Sequence, residues 1–203
     1  LVERVEHLKR LVPPPLRPEE AHPGLYLITH DHIDHLDTDT LASMDKNGVR
    51  FAAPGSCIGK LLDLGVPEAA ITRFDRGCRM NFGRFDLEAV YAKHTADSIG
   101  VVLTCSGIRA YFTGDSEFDD LVGRGVRCDA LFCCINGRWG NMGIPEALEL
   151  ANRVDAKLAL PHHYGMFAEN TADPEPFLTG LEKAGRRGLL MEHGLQFALD
   201  GLV

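Results

Sequence analysis

Basic residues are in the minority in this chain. Lys and Arg number 21 against 29 Asp and Glu, a formal net charge of −8. That balance disfavours non-specific nucleic-acid binding, which needs a positive field against phosphates. Long apolar runs are also missing: no segment approaches the roughly 20 residues of a membrane-spanning helix, so no membrane partner is expected. Six cysteines are present (Cys57, Cys78, Cys105, Cys128, Cys133 and Cys134), yet none forms a CxxC pair. The usual signal for a cysteine-ligated zinc is therefore absent. Cys133 and Cys134 are adjacent in an expected strand and point to opposite faces. The thiols read as buried side chains of a reducing compartment, and a cytoplasmic location is expected. Neither an internal repeat nor a low-complexity tract interrupts the chain. What remains is ordinary for a globular protein: 203 residues, 45% hydrophobic and 25% charged. One domain spanning 1–203 is the expectation.

Histidine, by contrast, is concentrated. His30-Asp31-His32-Ile33-Asp34-His35 follows the apolar run Leu25-Tyr26-Leu27-Ile28. Three imidazoles and two carboxylates at this density are costly to bury unless something pairs with them. A divalent metal is the usual partner for neutral imidazole and carboxylate. In an extended chain His30 and His32 point the same way and can share one ion. Asp34 and His35 lie just beyond, where they can face a second. Asp37 reads as the N-cap of a helix over 38–46.

More candidate ligands stand at the ends of expected strands. His94 follows Phe85–Ala92, Asp115 follows Ile108–Phe112, and His162 and His163 follow Leu158-Ala159-Leu160-Pro161. Loops leaving one edge of a sheet can converge on a common site. The remaining pattern alternates strands (Arg50–Ala53, Ile71–Phe74, Ile99–Thr104, Ala130–Ile135) with helices (Ser56–Leu64, Pro145–Val154, and Asp173 to about Gly185). Leu189–Met191 and Leu195–Leu199 read as closing strands around Gly194. Arg73-Phe74-Asp75-Arg76 reads as a solvated charge cluster. An α/β class follows.

Two loops are candidates for a substrate pocket. Asn136–Gly143 carries the single tryptophan, Asn141 and Arg138, whose forked guanidinium suits phosphate or carboxylate. Tyr164, beside His163, can bring a phenol near the metals.

The series His30-x-His32-x-Asp34-His35, His94, Asp115 and a late histidine resembles the metallo-β-lactamase superfamily. The segments Thr29–Asp37, Thr113-Gly114-Asp115-Ser116 and Pro161-His162-His163-Tyr164-Gly165 resemble its branch of L-ascorbate-6-phosphate lactonases and related metal-dependent hydrolases. The resemblance implies a four-layer αββα sandwich. It also implies that His30, His32 and His94 hold one ion, that Asp34, His35 and the late histidine hold another, and that Asp115 bridges them. It places the late ligand two residues after the proline, which selects His163 over His162. Proteins of this kind usually place their first strands before the motif. Only Leu1 to Gly24 precede it here, mostly loop around Pro13-Pro14-Pro15, so the chain is expected to lack those strands.

The implied cofactors are two divalent ions, zinc or manganese, with iron also compatible. Such a pair yields a nucleophilic hydroxide near neutral pH, and Asp34 can orient it or carry its proton. A small-molecule lactone or ester is the expected substrate. A sugar-phosphate lactone held by Arg138, Asn141 and Tyr164 is the specific form the resemblance suggests. A homo-oligomer is compatible with this reading. Two rivals stand beside it: a nuclease or phosphodiesterase on the same site, and a non-catalytic, metal-stabilised protein.

Overall fold

The computed structural model describes residues 8–199 and 201–203. Of the stretch 1–24 expected as loop, residues 1–7 lie outside the described residues. From residue 8 to Gly24 the backbone is irregular apart from a bridge at Arg10 and one 3-10 turn at Pro18–Glu20.

Two sheets form the centre. The smaller joins β1 (Leu25–Leu27), β2 (Arg50–Ala53) and β3 (Ile71–Arg73), all parallel. Its crossovers carry α1 (Thr38–Ser43) and α2 (Gly55–Asp63). The larger contains β4 (Arg79–Phe82), β5 (Phe85–Tyr91), β6 (Ile99–Cys105), β7 (Ile108–Phe112), β8 (Ala130–Cys134), β9 (Leu158–His162) and β10 (Arg187–Gly188). β4 to β7 form an antiparallel meander; β7 to β10 run parallel. Parallel pairing needs crossovers, and α3 (Ile144–Arg153) and α4 (Glu175–Lys183) supply two of them. The β6–β7 turn is Ser106-Gly107, both with positive φ. That geometry matches the twist of a two-residue hairpin.

Four hydrophobic clusters define the layers. Leu41, Cys57 and Leu61 from the first two helices pack on Phe51 and Ala53 of β2. The opposite face of the small sheet meets β5 and β6 through Ala52, Leu87, Ala89, Ile99 and Val101. The far face of the large sheet, through Tyr111, Leu131 and Cys133, receives Leu150 and Ala151 of α3 and Phe177 and Leu181 of α4. Each fully buried Leu or Phe is worth about 1.5–3 kcal/mol relative to exposure. The order is helix, sheet, sheet, helix, the αββα arrangement. All five residues of β8 are buried, as expected for a central parallel strand covered on both faces. The six cysteines are free thiols, four of them buried. Among the described residues no helix is long and apolar enough to cross a membrane.

Four expectations change. The helix after Asp37 stops at Ser43 instead of reaching residue 46. The Lys46 ammonium donates to the Leu41 carbonyl, taking the acceptor that one more helical residue would have used. The segments Leu189–Met191 and Leu195–Leu199 are not strands. Only Leu189 N–H continues the ladder, to Ala159 O at 3.1 Å. Leu189, Met191 and Leu199 instead lie across Ala110, Phe132 and Leu160, so their apolar spacing serves face packing. β4 was not foreseen, although Arg79-Met80-Asn81-Phe82 alternates exposed and half-buried residues. Arg73–Arg76 is not simply solvated either. Phe74 is buried, and Arg76 donates to Ser98 O and Ala92 O, both at 3.0 Å, with its guanidinium over the Tyr91 ring.

Candidate metal centre

β1 ends at Leu27, so the histidine-rich hexad is loop rather than strand. Amides of His35 and Leu36 both donate to His32 O, at 3.0 and 2.7 Å. That turn folds the loop on itself and separates His30 and His32 from Asp34 and His35. Asp37 then closes the segment, accepting from Asp39 N–H at 3.1 Å and from the Thr40 hydroxyl at 2.7 Å. The period-two argument for His30 and His32 fails as geometry, yet the two rings do meet, with centroids 4.7 Å apart.

The first ligand group is His30, His32 and His94, whose ligand atoms all lie within 4.8 Å of one another. The three rings stand mutually edge-on, with His94 4.8 Å from each of the others. His30 is fully buried. Burial, then the neighbouring His35, pushes its pKa down to about 3, so it is a neutral ligand. Its Nδ1 lies 3.1 Å from the Thr29 hydroxyl. His94 turns Nδ1 to Gly140 O at 2.9 Å and Nε2 towards His32 Nδ1 at 3.0 Å. A Cβ on Gly140 would come within 2.9 Å of that His94 nitrogen, and the residue has φ +80°. Only glycine suits both conditions.

The second group is Asp34, His35, Asp115 and His163, again within 4.8 Å. Asp115 is buried. It stands 3.2 Å from His35 Nε2 and 3.2 Å from His163 Nε2, and 3.8 Å from His94 Nε2 of the first group. Asn141 Nδ2 donates to its Oδ2 at 3.0 Å. Burial would raise the Asp115 pKa, but His163 and His35 outweigh it and hold the carboxyl well below its usual range. Asp34 Oδ2 lies 3.4 Å from His163 Nε2, and its carboxyl too is held low by His163 against the effect of burial. Burial lowers the His163 pKa, but the adjacent Asp115 and Asp34 carboxylates override this and raise it to about 10.

His163 reaches this place through an unusual backbone. Its φ is +59°, a left-handed conformation that non-glycine residues seldom adopt. The turn swings its ring into the cluster. His162, the last residue of β9, instead sits 3.3 Å from the Thr113 hydroxyl. Burial takes the His162 pKa down to about 3.

Three buried atoms in the two groups form no well-aligned hydrogen bond: His30 Nε2, together with His163 Nε2 and Asp115 Oδ1, which meet charged neighbours at 3.2–3.4 Å. Buried polar atoms are rarely left so. Imidazole nitrogens and a carboxylate oxygen converging in this way fit divalent ions, which would take the place of the His163 proton, three imidazoles suiting zinc and the mixed set a broader range. Outer contacts follow the same logic, since a metal-bound imidazole is usually fixed through its other nitrogen. Gly140 O does this for His94, the Thr29 hydroxyl for His30. For His163 the neighbour is Asn170, 3.5 Å from Nδ1. Asn170 also accepts from Asn136 Nδ2 at 2.7 Å. Thr29 and Gly140 fall within segments singled out in the sequence, but no role was assigned to them or to Asn170, and for Gly140 and Asn170 the role depends on side chains outside their own segment.

A cleft of about 420 Å³ opens over both groups. The expected substrate residues divide around it. Asn141 lines it, although its amide is engaged with Asp115. Tyr164 lines a smaller hollow behind the second group. Arg138 lies outside the cleft: it is exposed, reaches Glu169 O at 3.3 Å, and lines a separate hollow with Lys93 and Glu117.

Residues 2–164 match a family model described as a beta-lactamase superfamily domain. A UPF0173 metal-dependent hydrolase of Archaeoglobus fulgidus is 30% identical, over 84% of this chain and 79% of the relative. Among solved structures, Igni18, a metallo hydrolase from Ignicoccus hospitalis, superposes with a TM-score of 0.72 at 23% identity, covering 86% of this chain and 80% of its own. An isothiocyanate hydrolase from Delia radicum gut bacteria gives 0.77 at 14% identity, covering 98% and 85%. Both likenesses are of fold.

Proposed function

The chain belongs to the metallo-β-lactamase superfamily, and from that premise we propose that it is a metal-dependent hydrolase acting on a small-molecule lactone or ester. The observation that carries the proposal is the pair of ligand groups at the floor of one cleft, with Asp115 of the second group 3.8 Å from His94 of the first. His30, His32 and His94 would hold one divalent ion; Asp34, His35 and His163 would hold a second; Asp115 would touch both. Such ions supply an acidified water and polarise a substrate oxygen.

The protein's own groups would do the rest. Asp34 both belongs to the second group and lines the cleft, so its carboxylate can orient the attacking water and take its proton. Water oxygen joins the carbonyl carbon, the ring or ester C–O bond breaks, and the proton passes to the departing oxygen. A lactone plus water thus becomes a hydroxy acid. Asn141 would keep Asp115 aimed through its 3.0 Å hydrogen bond.

The test is metal content followed by turnover. Protein equilibrated with saturating zinc or manganese should carry two ions per chain and hydrolyse members of a lactone and ester panel. One ion at most, with no second site in titration, removes the two-metal reading. Cleavage of phosphodiesters without any lactone or ester hydrolysis transfers the site to the nuclease rival. Full metal loading with neither activity leaves the non-catalytic reading.

A further inference from the structure

The cleft wall carries information about the substrate that the metal ligands do not. Beyond the ligands and Asn141, the wall is built by Leu8, Ile33, Trp139, Phe167 and Asn170. Among the described residues no lysine or arginine lines it. The nearby cations are engaged elsewhere: Lys60 with Asp31 at 2.9 Å, Lys93 with Glu117 at 3.0 Å, Arg138 with the Glu169 carbonyl, and Arg10, which lies 5.8 Å from the centre of the Phe167 ring, with the Val12 carbonyl at 2.7 Å. Asn170 has its oxygen committed to Asn136 and its nitrogen beside His163. An anionic group lying along this wall would lose its water and find no lysine or arginine of the described residues to replace it.

Trp139 stands out. It is 59% exposed, and Ile33 is 49% exposed. Trp139 also has φ +52°, followed by Gly140 at +80°. Asn141 N–H closes the turn on Arg138 O at 3.1 Å. Positive φ at both central residues makes this a type I′ turn, whose first central position favours Asn, Asp or Gly. A bulky indole held in that position is strained, and strain of this kind collects at functional sites. The same turn sets Gly140 O against His94 Nδ1, so the backbone that carries the indole is tied to His94, while the Arg138 guanidinium reaches Glu169 O.

We infer that the substrate is an uncharged lactone or ester with an apolar arm that lies on Trp139 and Phe167, beside Ile33. The inference rests on the hydrolase reading above. It replaces the sugar-phosphate lactone suggested by resemblance, because among the described residues the positive charge facing such a substrate would be at the cleft floor, where the reacting carbonyl must sit.

Trp139 is the single tryptophan of the chain, so intrinsic fluorescence reports on the cleft mouth without turnover. Metal-loaded full-length protein is titrated with an alkyl-substituted lactam, the uncleaved analogue of an alkyl lactone, and with a phosphorylated sugar lactam. In parallel, kcat/KM is compared for alkyl, unsubstituted and phosphorylated lactones in the native protein and in Trp139→Asn, which suits the turn. The alkyl lactam should change the fluorescence saturably and the phosphorylated one should not. Native protein should prefer the alkyl lactone, and W139N should lower its preference over the unsubstituted lactone about tenfold, the scale of a lost aromatic contact. Metal content of W139N should match that of the native protein, showing that the turn survived. A phosphorylated lactone turned over as well as the alkyl one, or an unchanged preference in W139N, overturns the inference and leaves the hydrolase reading standing. Saturable binding of the alkyl lactam with no hydrolysis of any lactone or ester overturns the hydrolase reading instead.

Discussion

The two ends of the parallel strands β7, β8 and β9 are built on opposite principles. At their amino ends every charge has a partner. Asp129 accepts from Lys157 at 2.7 Å and from Arg109 N–H at 2.8 Å, and the Arg109 side chain donates to Arg127 O. At their carboxyl ends lie Asp115, the Asn136–Asn141 loop and His163, crowded, strained and with several buried polar atoms short of a well-formed hydrogen bond. One end spends its polar groups on closing the fold. The other leaves them under-satisfied, which is what an ion or a substrate can exploit.

The contrast can be broken in four places. The largest effect is expected at His163. His163→Ala should remove an ion and abolish turnover, whereas His162→Ala should leave most activity; metal analysis with kinetics on both variants checks this. The reverse result would show that the left-handed turn does not select the ligand. Next is Gly140→Ala. Its Cβ would intrude on His94 Nδ1, so affinity at the three-histidine group should fall about a hundredfold, the upper range for an outer contact of a metal ligand. Competition with a chelator measures it, and unchanged affinity would sever the link between that loop and His94.

A smaller change is expected for Asn170→Ala, which deprives His163 Nδ1 of its neighbour. Affinity at the second group should weaken about tenfold, with the three-histidine group unaffected. Equal weakening at both groups would mean that Asn170 acts through the fold and not through His163. Smallest is Asp129→Asn at the amino ends. Lys157 and then the Arg109 amide hold the Asp129 carboxyl below its usual range. A depressed carboxyl contributes stability above its unfolded pKa, near 4, and loses it as pH falls through the folded value. The variant should therefore cost under about 1 kcal/mol at neutral pH, as a largely surface pair, and the difference should vanish in acid. Chemical denaturation at pH 7 and pH 3 measures both. Any loss of bound metal in this variant would contradict the separation of the two ends.

Much of the architecture was legible because it rests on local chemistry. Pro145 opens α3 within a residue of its expected start, Asp37 caps α1, and Ser106-Gly107 turns the hairpin. What escaped depended on partners far along the chain. The apolar spacing of Leu189, Met191 and Leu199 is the same whether these residues enter a ladder or cover a sheet face, and only the neighbouring strands decide. Arg76 looked like a surface charge because its acceptors, Ala92 O and Ser98 O, belong to the connection between β5 and β6, 16 and 22 residues further along the chain.

The amino-acid order alone determined which chemistry is available: imidazoles and carboxylates placed where strands leave the core, in numbers that call for a counter-charge. Direction was settled only in three dimensions. Arg138 and Trp139 are neighbours on one type I′ turn and share the wall of one hollow, yet only the indole also lines the cleft. His162 and His163 are neighbours too, and a positive φ sends only the second into the ligand group. The reason is common to both. A change of sign in one backbone angle reverses where a side chain points, and that sign is set by packing from distant segments, such as Gly140 against His94, 46 residues away.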